Sequence, residues 1–440
     1  MTAPRTVLML QGPPCRFWRE LGDALRRDGR RVLHVGFCLA DLVFWRRPGL
    51  RLYRGRLRDW PRALDRIIAA EKVSDILYYA DRLPYHRAAI TAARRAGIRA
   101  WAIENGYLRP DWITMEPEAM GAFSRLPRDP AAISALAAGQ QLPDLAPQYR
   151  HGFAREAASE VAFGLAMTLG RPFFPRYVSD KALPPIVDHL SWLVKWARGT
   201  GAAPGDGVRL AAGGDVLLAM QLQTDYQIRA SSPFRCLSEM IEAVLASFAA
   251  HARAPQRLIV KLHPMDNGLE AWPRRIRQAA ARHGVGPRVV VVDGGDLEAL
   301  LRDARGLITV NSTVGLKALT MGCPVIALGD AVYDIAGLTH AGGLDSFWAA
   351  PTPVDRGLCA RFVTALAARA QIRGSFYAPA GRAAAIREIV RRLQAPDGFW
   401  QGLRPSSSVG LRRRGSETAK ARVRRAGQPA AEPVRPLPLS

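Results

Sequence analysis

Along the first hundred residues, short and wholly apolar runs alternate with stretches whose apolar positions recur at helical spacing, the pattern of repeated βα units. Thr6 to Leu10 reads as a buried strand closed by the turn Gln11-Gly12-Pro13-Pro14. The helix after it keeps Phe17, Leu21, Ala24 and Leu25 on one face and ends at Asp28-Gly29. Arg31 to Val35 is the next strand, Trp60 to Ala70 a helix with Leu64, Ile67 and Ile68 inward, and Asp75 to Tyr79 a further strand. Tyr85 to Ala96 is helical until Gly97 ends it, and Ile98 to Ile103 forms a strand that delivers Glu104-Asn105-Gly106 at its carboxyl end. Repeated βα connections imply a parallel sheet.

Pro117 to Asp206 breaks this rhythm with Pro/Ala-rich loops, the small and apolar run Val161 to Leu169, and a Trp-bearing helix around Leu190 to Ala197. It reads as a helical insertion bridging two lobes, with Gly199 to Gly207 as the linker. A second alternating series follows: strands at Val216–Met220, Arg257–Leu262, Val289–Val292, Gly306–Val310 and Pro324–Leu328. Its helices fall at Pro233–Ala252, Trp272–His283, Leu297–Asp303 and Val314–Met321, and two more close the fold beyond Asp355. Two separate series mean an α/β protein with two Rossmann-like lobes. The boundaries expected are a first lobe over 1–116, the insertion and linker over 117–206, a second lobe over 207–395, and a basic, disordered tail over 396–440.

Charge changes this picture only after it is divided. The chain carries a formal +24, of which the tail from Arg404 holds +7, because nine basic residues there stand against Glu417 and Glu432. A basic body points to acidic partners such as nucleic acid, anionic lipid, or phosphorylated and carboxylated sugars, although an arginine-rich composition alone accounts for the same number. The five cysteines (Cys15, Cys38, Cys236, Cys323, Cys359) show neither CxxC nor ligand spacing, which argues against a disulfide framework and a zinc site and fits a reducing cytoplasm. Thr6 to Leu10 is too short for a signal-peptide core, and arginine or proline interrupts every candidate membrane span.

In open parallel sheets ligands bind beyond the carboxyl ends of the strands. That rule selects Gln11, Gly12, Asp81 and Glu104 in the first lobe, and Gln221 to Asp225, His263 to Asp266, Asp293 and Asn311 to Thr313 in the second. Glu104 and Asp225, from opposite lobes, can flank one sugar as acid/base and nucleophile. The structural alternatives are a turn carboxylate paired with Arg109 for Glu104 and a helix cap for Asp225. In Lys261-Leu262-His263-Pro264 the proline stops the strand, leaving His263 or Lys261 to neutralise a departing nucleotide phosphate. Asn311-Ser312-Thr313 opens a helix, where N-capping and phosphate binding draw on the same N–H groups.

The chain has no GxGxxG, GxxxxGK[ST], HExxH or GxSxG, which removes most support for dehydrogenase, kinase and hydrolase chemistry. It also lacks an Asp-x-Asp motif suited to a metal-bound nucleotide, so a metal-independent transferase without a cofactor is expected. Over most of its globular body the chain resembles the KpsS/LipB capsule polysaccharide proteins, β-Kdo transferases. The resemblance lies in Leu10 to Pro13, Tyr79 to His86, Glu104 to Thr114, Gln221 to Asp225, Lys261 to Pro264 and Thr309 to Leu319. It departs from that pattern in carrying Glu104-Asn105-Gly106 where Glu-Glu-Gly or Glu-Asp-Gly is expected, and in its arginine-rich tail.

The resemblance implies a GT-B-like fold with an acceptor lobe followed by a nucleotide-sugar lobe. It implies transfer of Kdo from CMP-Kdo, with retention, to a lyso-phosphatidylglycerol acceptor, starting the capsule's linker. Asp225 would be the nucleophile and Glu104 the acid/base, or the reverse. His263, Lys261, Pro264, Gln221, Asn311, Ser312 and Thr313 would line the CMP side, with Gln11 and Gly12 contributing from the first lobe. The implied setting is cytoplasmic and peripheral at the inner membrane, with the membrane surface and other capsule assembly proteins as partners and no nucleic acid. Phe163, Leu165, Met167, Leu169, Phe173 and Phe174, near Arg155, Arg171 and Arg176, suit either entry into an anionic membrane surface or a buried bridge between lobes. A sugar-nucleotide epimerase of the same architecture and a non-catalytic export or scaffold component are the competing classes.

Overall fold

The computed structural model describes residues 5–149, 152–179, 210 and 214–404. Six strands come from the first part of the chain: β1 (Thr6–Met9), β2 (Arg31–Gly36), β3 (Leu50–Leu52), β4 (Val73–Tyr79), β5 (Arg99–Asn105) and β6 (Trp112–Pro117). Five follow in the second: β7 (Val216–Ala219), β8 (Leu258–Lys261), β9 (Val289–Val292), β10 (Gly306–Thr309) and β11 (Val325–Ala327), and then β12 (Gln371–Arg373). The first sheet has the order β12-β6-β5-β4-β1-β2-β3 and the second β11-β10-β7-β8-β9. All pairs in the second sheet are parallel, as are those from β5 through β3 in the first. This is the expected GT-B-like α/β architecture of two Rossmann-like lobes. Its strands read correctly because β1, β7, β8 and β10 are buried along their whole length, so nearly every position is apolar.

The helices bury the predicted stripes. Leu237–His251 covers its sheet with Leu237, Met240, Ile241, Val244, Leu245 and Phe248. It starts four residues later than the apolar pattern alone suggests, because Ser232 Oγ accepts the Phe234 N–H and donates to the Ile228 carbonyl, holding 232–234 in a turn. In the insertion, helix Pro130–Ala137 is capped by Asp129. Its Ile133 and Leu136 join an apolar cluster that holds Leu108 and Trp112 of the first lobe and Leu217, Leu316 and Phe362 of the second. The Trp-bearing helix at 190–197 and the linker at 199–207 lie outside the described residues.

Three features depart from the periodicity reading. The residues after β5 turn back at once, and β6 runs antiparallel to it, with Glu104 opposite Thr114 and Asn105 opposite Ile113. Glu104 therefore sits within a strand rather than just past its end. Gly106 is required there, since a Cβ would lie 2.5 Å from the backbone of Trp112. Second, the chain recrosses: β12 pairs antiparallel with β6, and helix Pro379–Gln394 packs on Phe17–Arg27 through Ile386, Ile389 and Leu393. An ion pair between Arg382 and Glu20 at 3.0 Å supports that contact. Residues 371–394 thus belong to the first lobe, not to the second lobe expected for 207–395; a three-residue strand carries too little pattern to announce its partner. Third, residues 396–404, expected in the tail, dock on the first lobe, with Trp400 against Trp101 at 4.8 Å and the Arg404 N–H on the Arg125 carbonyl.

The recrossing places one amide at the hairpin. Buried Gln371 accepts the Tyr107 N–H at 2.8 Å and donates to Thr114 Oγ1 at 3.0 Å, so it clamps the loop after Glu104 to the strand opposite it. Gln371→Leu is expected to leave the Tyr107 N–H unpaired, while the Thr114 hydroxyl keeps its bond to the Asn105 carbonyl, and to destabilise the protein by about 1–3 kcal/mol, seen as a lowered melting temperature. A variant that melts with the wild type removes Gln371 from this role.

Candidate active site

On the first-lobe side, β5 holds Glu104 half-buried at the carboxyl edge of the sheet. Burial raises its pKa to about 8; the charges of Asp81 and Asp225 push the same way, and Arg109 opposes them. Asp81, at the end of β4, is itself buried and raised by desolvation, and it accepts the Met120 N–H. Tyr79 lies next to this group: the Asn105 amide donates to its hydroxyl, and burial and the Glu104 charge raise its pKa. Glu104 is therefore mostly protonated at neutral pH and able to give up a proton.

Asp225 is fixed from the second lobe. It caps the short helix Tyr226–Ser231 through Oδ1, which accepts the Gln227 N–H at 2.9 Å, while Oδ2 accepts from the Gln221 amide at 3.0 Å. The helix it caps begins at the next residue, so the capping alternative is real and coexists with a held, half-buried carboxylate. Gln221 also donates to Asn311 Oδ1 at 3.0 Å and accepts the Asn311 N–H at 3.1 Å, tying the ends of β7 and β10 into one rigid row.

His263 follows β8. Its Nδ1 accepts the Met265 N–H at 3.0 Å, which assigns the proton of the neutral ring to Nε2. Burial, then the charges of Arg109 and Lys261, depress its pKa to about 4. At neutral pH this histidine is a hydrogen-bond donor and not a cation. Lys261 is buried, and its Nζ donates to the Gly294 carbonyl at 2.6 Å, beside the end of β9. Ser312 caps helix Thr313–Thr320 by accepting the Val314 N–H, and Gly315 leaves room for the Tyr333 hydroxyl, which bonds the Ser312 carbonyl.

The charges of the two lobes reach across to each other: Asp225 acts on Glu104, and Arg109 acts on both Glu104 and His263. Gln221 and Asn311 join through their bonds to Asp225, and Pro264 lies exposed beside His263. Gln11 and Gly12 have other partners. The Gln11 amide donates to both oxygens of Asp41, and its oxygen accepts from Tyr177, while a Cβ on Gly12 would collide with Trp18. Arg109, considered from sequence only as a partner for Glu104, emerges as the cation shared by both sides. Its place in Glu104 to Thr114 was the signal that could have found it. Gln371, 264 positions from Tyr107, carried none. Among the described residues no group of three or more His, Cys, Asp or Glu is placed to hold a metal ion.

The family described as "Capsule polysaccharide biosynthesis protein" matches residues 74–377. The capsule polysaccharide export protein KpsS of Escherichia coli is 30% identical over 383 residues, covering 85% of this chain and 97% of that protein. The capsule polysaccharide modification protein LipB of Neisseria meningitidis serogroup A is 30% identical over 399 residues, covering 86% of this chain and 93% of its own length. Among solved structures, a β-Kdo 2,7 transferase, KpsC of Thermosulfurimonas dismutans, aligns over 89% of this chain and 100% of its own, with 13% identity and a TM-score of 0.42. By the extent of the family match and of its similarity to KpsS and LipB, the chain belongs to the capsule polysaccharide biosynthesis protein family.

Proposed function

We propose that the protein is a retaining glycosyltransferase that moves Kdo from CMP-Kdo to a lyso-phosphatidylglycerol acceptor at the inner face of the cytoplasmic membrane, without a metal ion. The observation that supports this most is the pairing of Glu104 and Asp225 across the lobes, one carboxyl largely protonated and the other held by two hydrogen bonds. Double displacement at a sugar requires one carboxyl group to attack and another to handle the proton. Membership of the capsule family supports glycosyl transfer in capsule synthesis, and the choice of Kdo and of a lysophospholipid acceptor follows from the resemblance of its motifs to the KpsS/LipB proteins.

In the first step an oxygen of Asp225 attacks the anomeric carbon. The bond from that carbon to the phosphate oxygen breaks, and a glycosyl ester forms. Glu104 gives its proton to the departing CMP, His263 donates an Nε2–H bond to the same phosphate, and the Arg109 charge stabilises what develops there. Ester formation removes the negative charge of Asp225, one of the causes that hold the Glu104 pKa up. Glu104, now a carboxylate, takes the proton of the acceptor hydroxyl, whose oxygen attacks the anomeric carbon and releases Asp225. Two inversions leave the configuration retained.

Purified protein given CMP-Kdo and lyso-phosphatidylglycerol is expected to yield a lipid heavier by one Kdo, read by mass spectrometry. Asp225→Asn should keep the cap on Gln227 but cut turnover by on the order of a thousandfold or more. Wild-type turnover in that variant, or no product and no CMP release from the wild type, defeats the proposal. The pH dependence gives a second test. Glu104 must enter the first step protonated, so kcat/KM for the donor is expected to fall as pH rises through about 8. That descending limb should vanish in Glu104→Gln, whereas an identical limb there assigns it to another group.

A further inference from the structure

Helix Phe153–Leu169 carries apolar residues on its outward as well as its inward side. Its carboxylates Glu156 and Glu160 are half-buried, and Glu160 acts electrostatically on Cys15, Tyr79 and Tyr377, at the first-lobe strand ends. Its outward positions are apolar except for Arg155: Ala154, Ala158 and Ala162 are exposed, with Val161 at 44%, Leu165 at 51% and Leu169 at 61%. The stripe continues at the same spacing to Phe173, 64% exposed, and the helix Leu39–Trp45, against which this one packs, exposes Leu42. That inner contact is close: Met167 lies buried with Cys38 and Ala40, and a Cβ on Gly170 would strike Leu39. The helix is thus seated through Phe163, Ala166 and Met167 while Val161, Leu165 and Leu169 stay in water, a second apolar face that an ordinary surface helix lacks.

We infer that this face is a membrane-docking surface whose partner is an anionic phospholipid bilayer. Charge complementarity selects that partner. Arg46, Arg155, Arg171 and Arg176 are exposed around the stripe, and no carboxylate is among the helix's exposed residues. Apolar insertion flanked by guanidinium groups suits the boundary between acyl chains and negative headgroups. Docked this way, the Glu160 side of the helix turns toward the first-lobe strand ends, with Tyr79 and Glu104 next to one another there. The inference rests on the lipid-acceptor reading for its purpose, while its evidence is the exposed stripe itself.

Full-length protein is expected to sediment with vesicles of phosphatidylglycerol and phosphatidylethanolamine, and much less with phosphatidylcholine alone. Leu165→Glu combined with Leu169→Glu should weaken partition about tenfold or more, because two apolar side chains no longer enter the bilayer. Its melting temperature and its turnover of a micellar lysophospholipid should match the wild type. Unchanged vesicle binding by this variant, or equal binding to neutral vesicles, overturns the inference. Footprinting that finds Leu165, Leu169 and Phe173 shielded before vesicles are added overturns it too, as does a dimer that the variant dissociates, since either gives the stripe another occupant. Vesicle binding is read without donor, so a protein that binds vesicles but transfers no sugar defeats the lipid-acceptor reading and leaves the surface standing.

Discussion

Carboxyl groups brought close together and away from water cannot all ionise cheaply, and one of them keeps its proton. Glu104 is in that position, raised by burial and by Asp81 and Asp225, with Arg109 as the opposing charge. The remainder of the site follows from maintaining this unequal pair. Asp225 is held by the Gln227 N–H and the Gln221 amide, and Gln221 is held in turn by Asn311 on the neighbouring strand. The second lobe thereby presents a carboxylate of defined orientation, and the first presents a proton. Neither lobe contains the pair alone, so the chemistry depends on how the two sheets face each other.

The second crossing of the chain serves that relation. β12 extends the first sheet, Gln371 clamps the loop carrying Arg109, and buried Arg392 donates to the Gln371 carbonyl at 2.6 Å while pairing with Glu388. The helix after β12 then packs over the opening helix of the chain. The loop that shares a cation between Glu104 and His263 is thus anchored by residues that follow the whole second lobe. His263 stays neutral because it is largely buried, with the charges of Arg109 and Lys261 adding to that effect, and Lys261 itself is turned toward Gly294. A phosphate arriving there would meet a donor N–H and a guanidinium.

Much of this was legible in the order of residues. Buried parallel strands such as Val216–Ala219 and Leu258–Lys261 are continuous apolar runs, and the residue after each marks the site with no knowledge of the fold's relatives. Glu104, Asp225 and His263 were found that way. Features set by long-range pairing were not legible: β6 and β12 join the sheet antiparallel and are of mixed composition, and Gln371 looks like any surface glutamine until the chain returns it to Tyr107 and Thr114. Gln11 shows the opposite difficulty. Its place after β1 marks it for ligand binding, yet its amide is bonded to Asp41 and its oxygen accepts from Tyr177, partners that local sequence does not reveal.

The central claim is that carboxyl groups from separate sheets divide the work on one sugar, Asp225 bonding to it and Glu104 handling the proton. Intact-protein mass spectrometry of Glu104→Gln mixed with CMP-Kdo in the absence of acceptor tests it directly, because the first step is slowed by loss of its acid, while the ester, once formed, has neither a base nor an acceptor hydroxyl to release it. The account predicts a Kdo adduct that peptide mapping places on Asp225, together with one equivalent of released CMP. An adduct on another residue, or continued CMP release by this variant with no adduct, would contradict it.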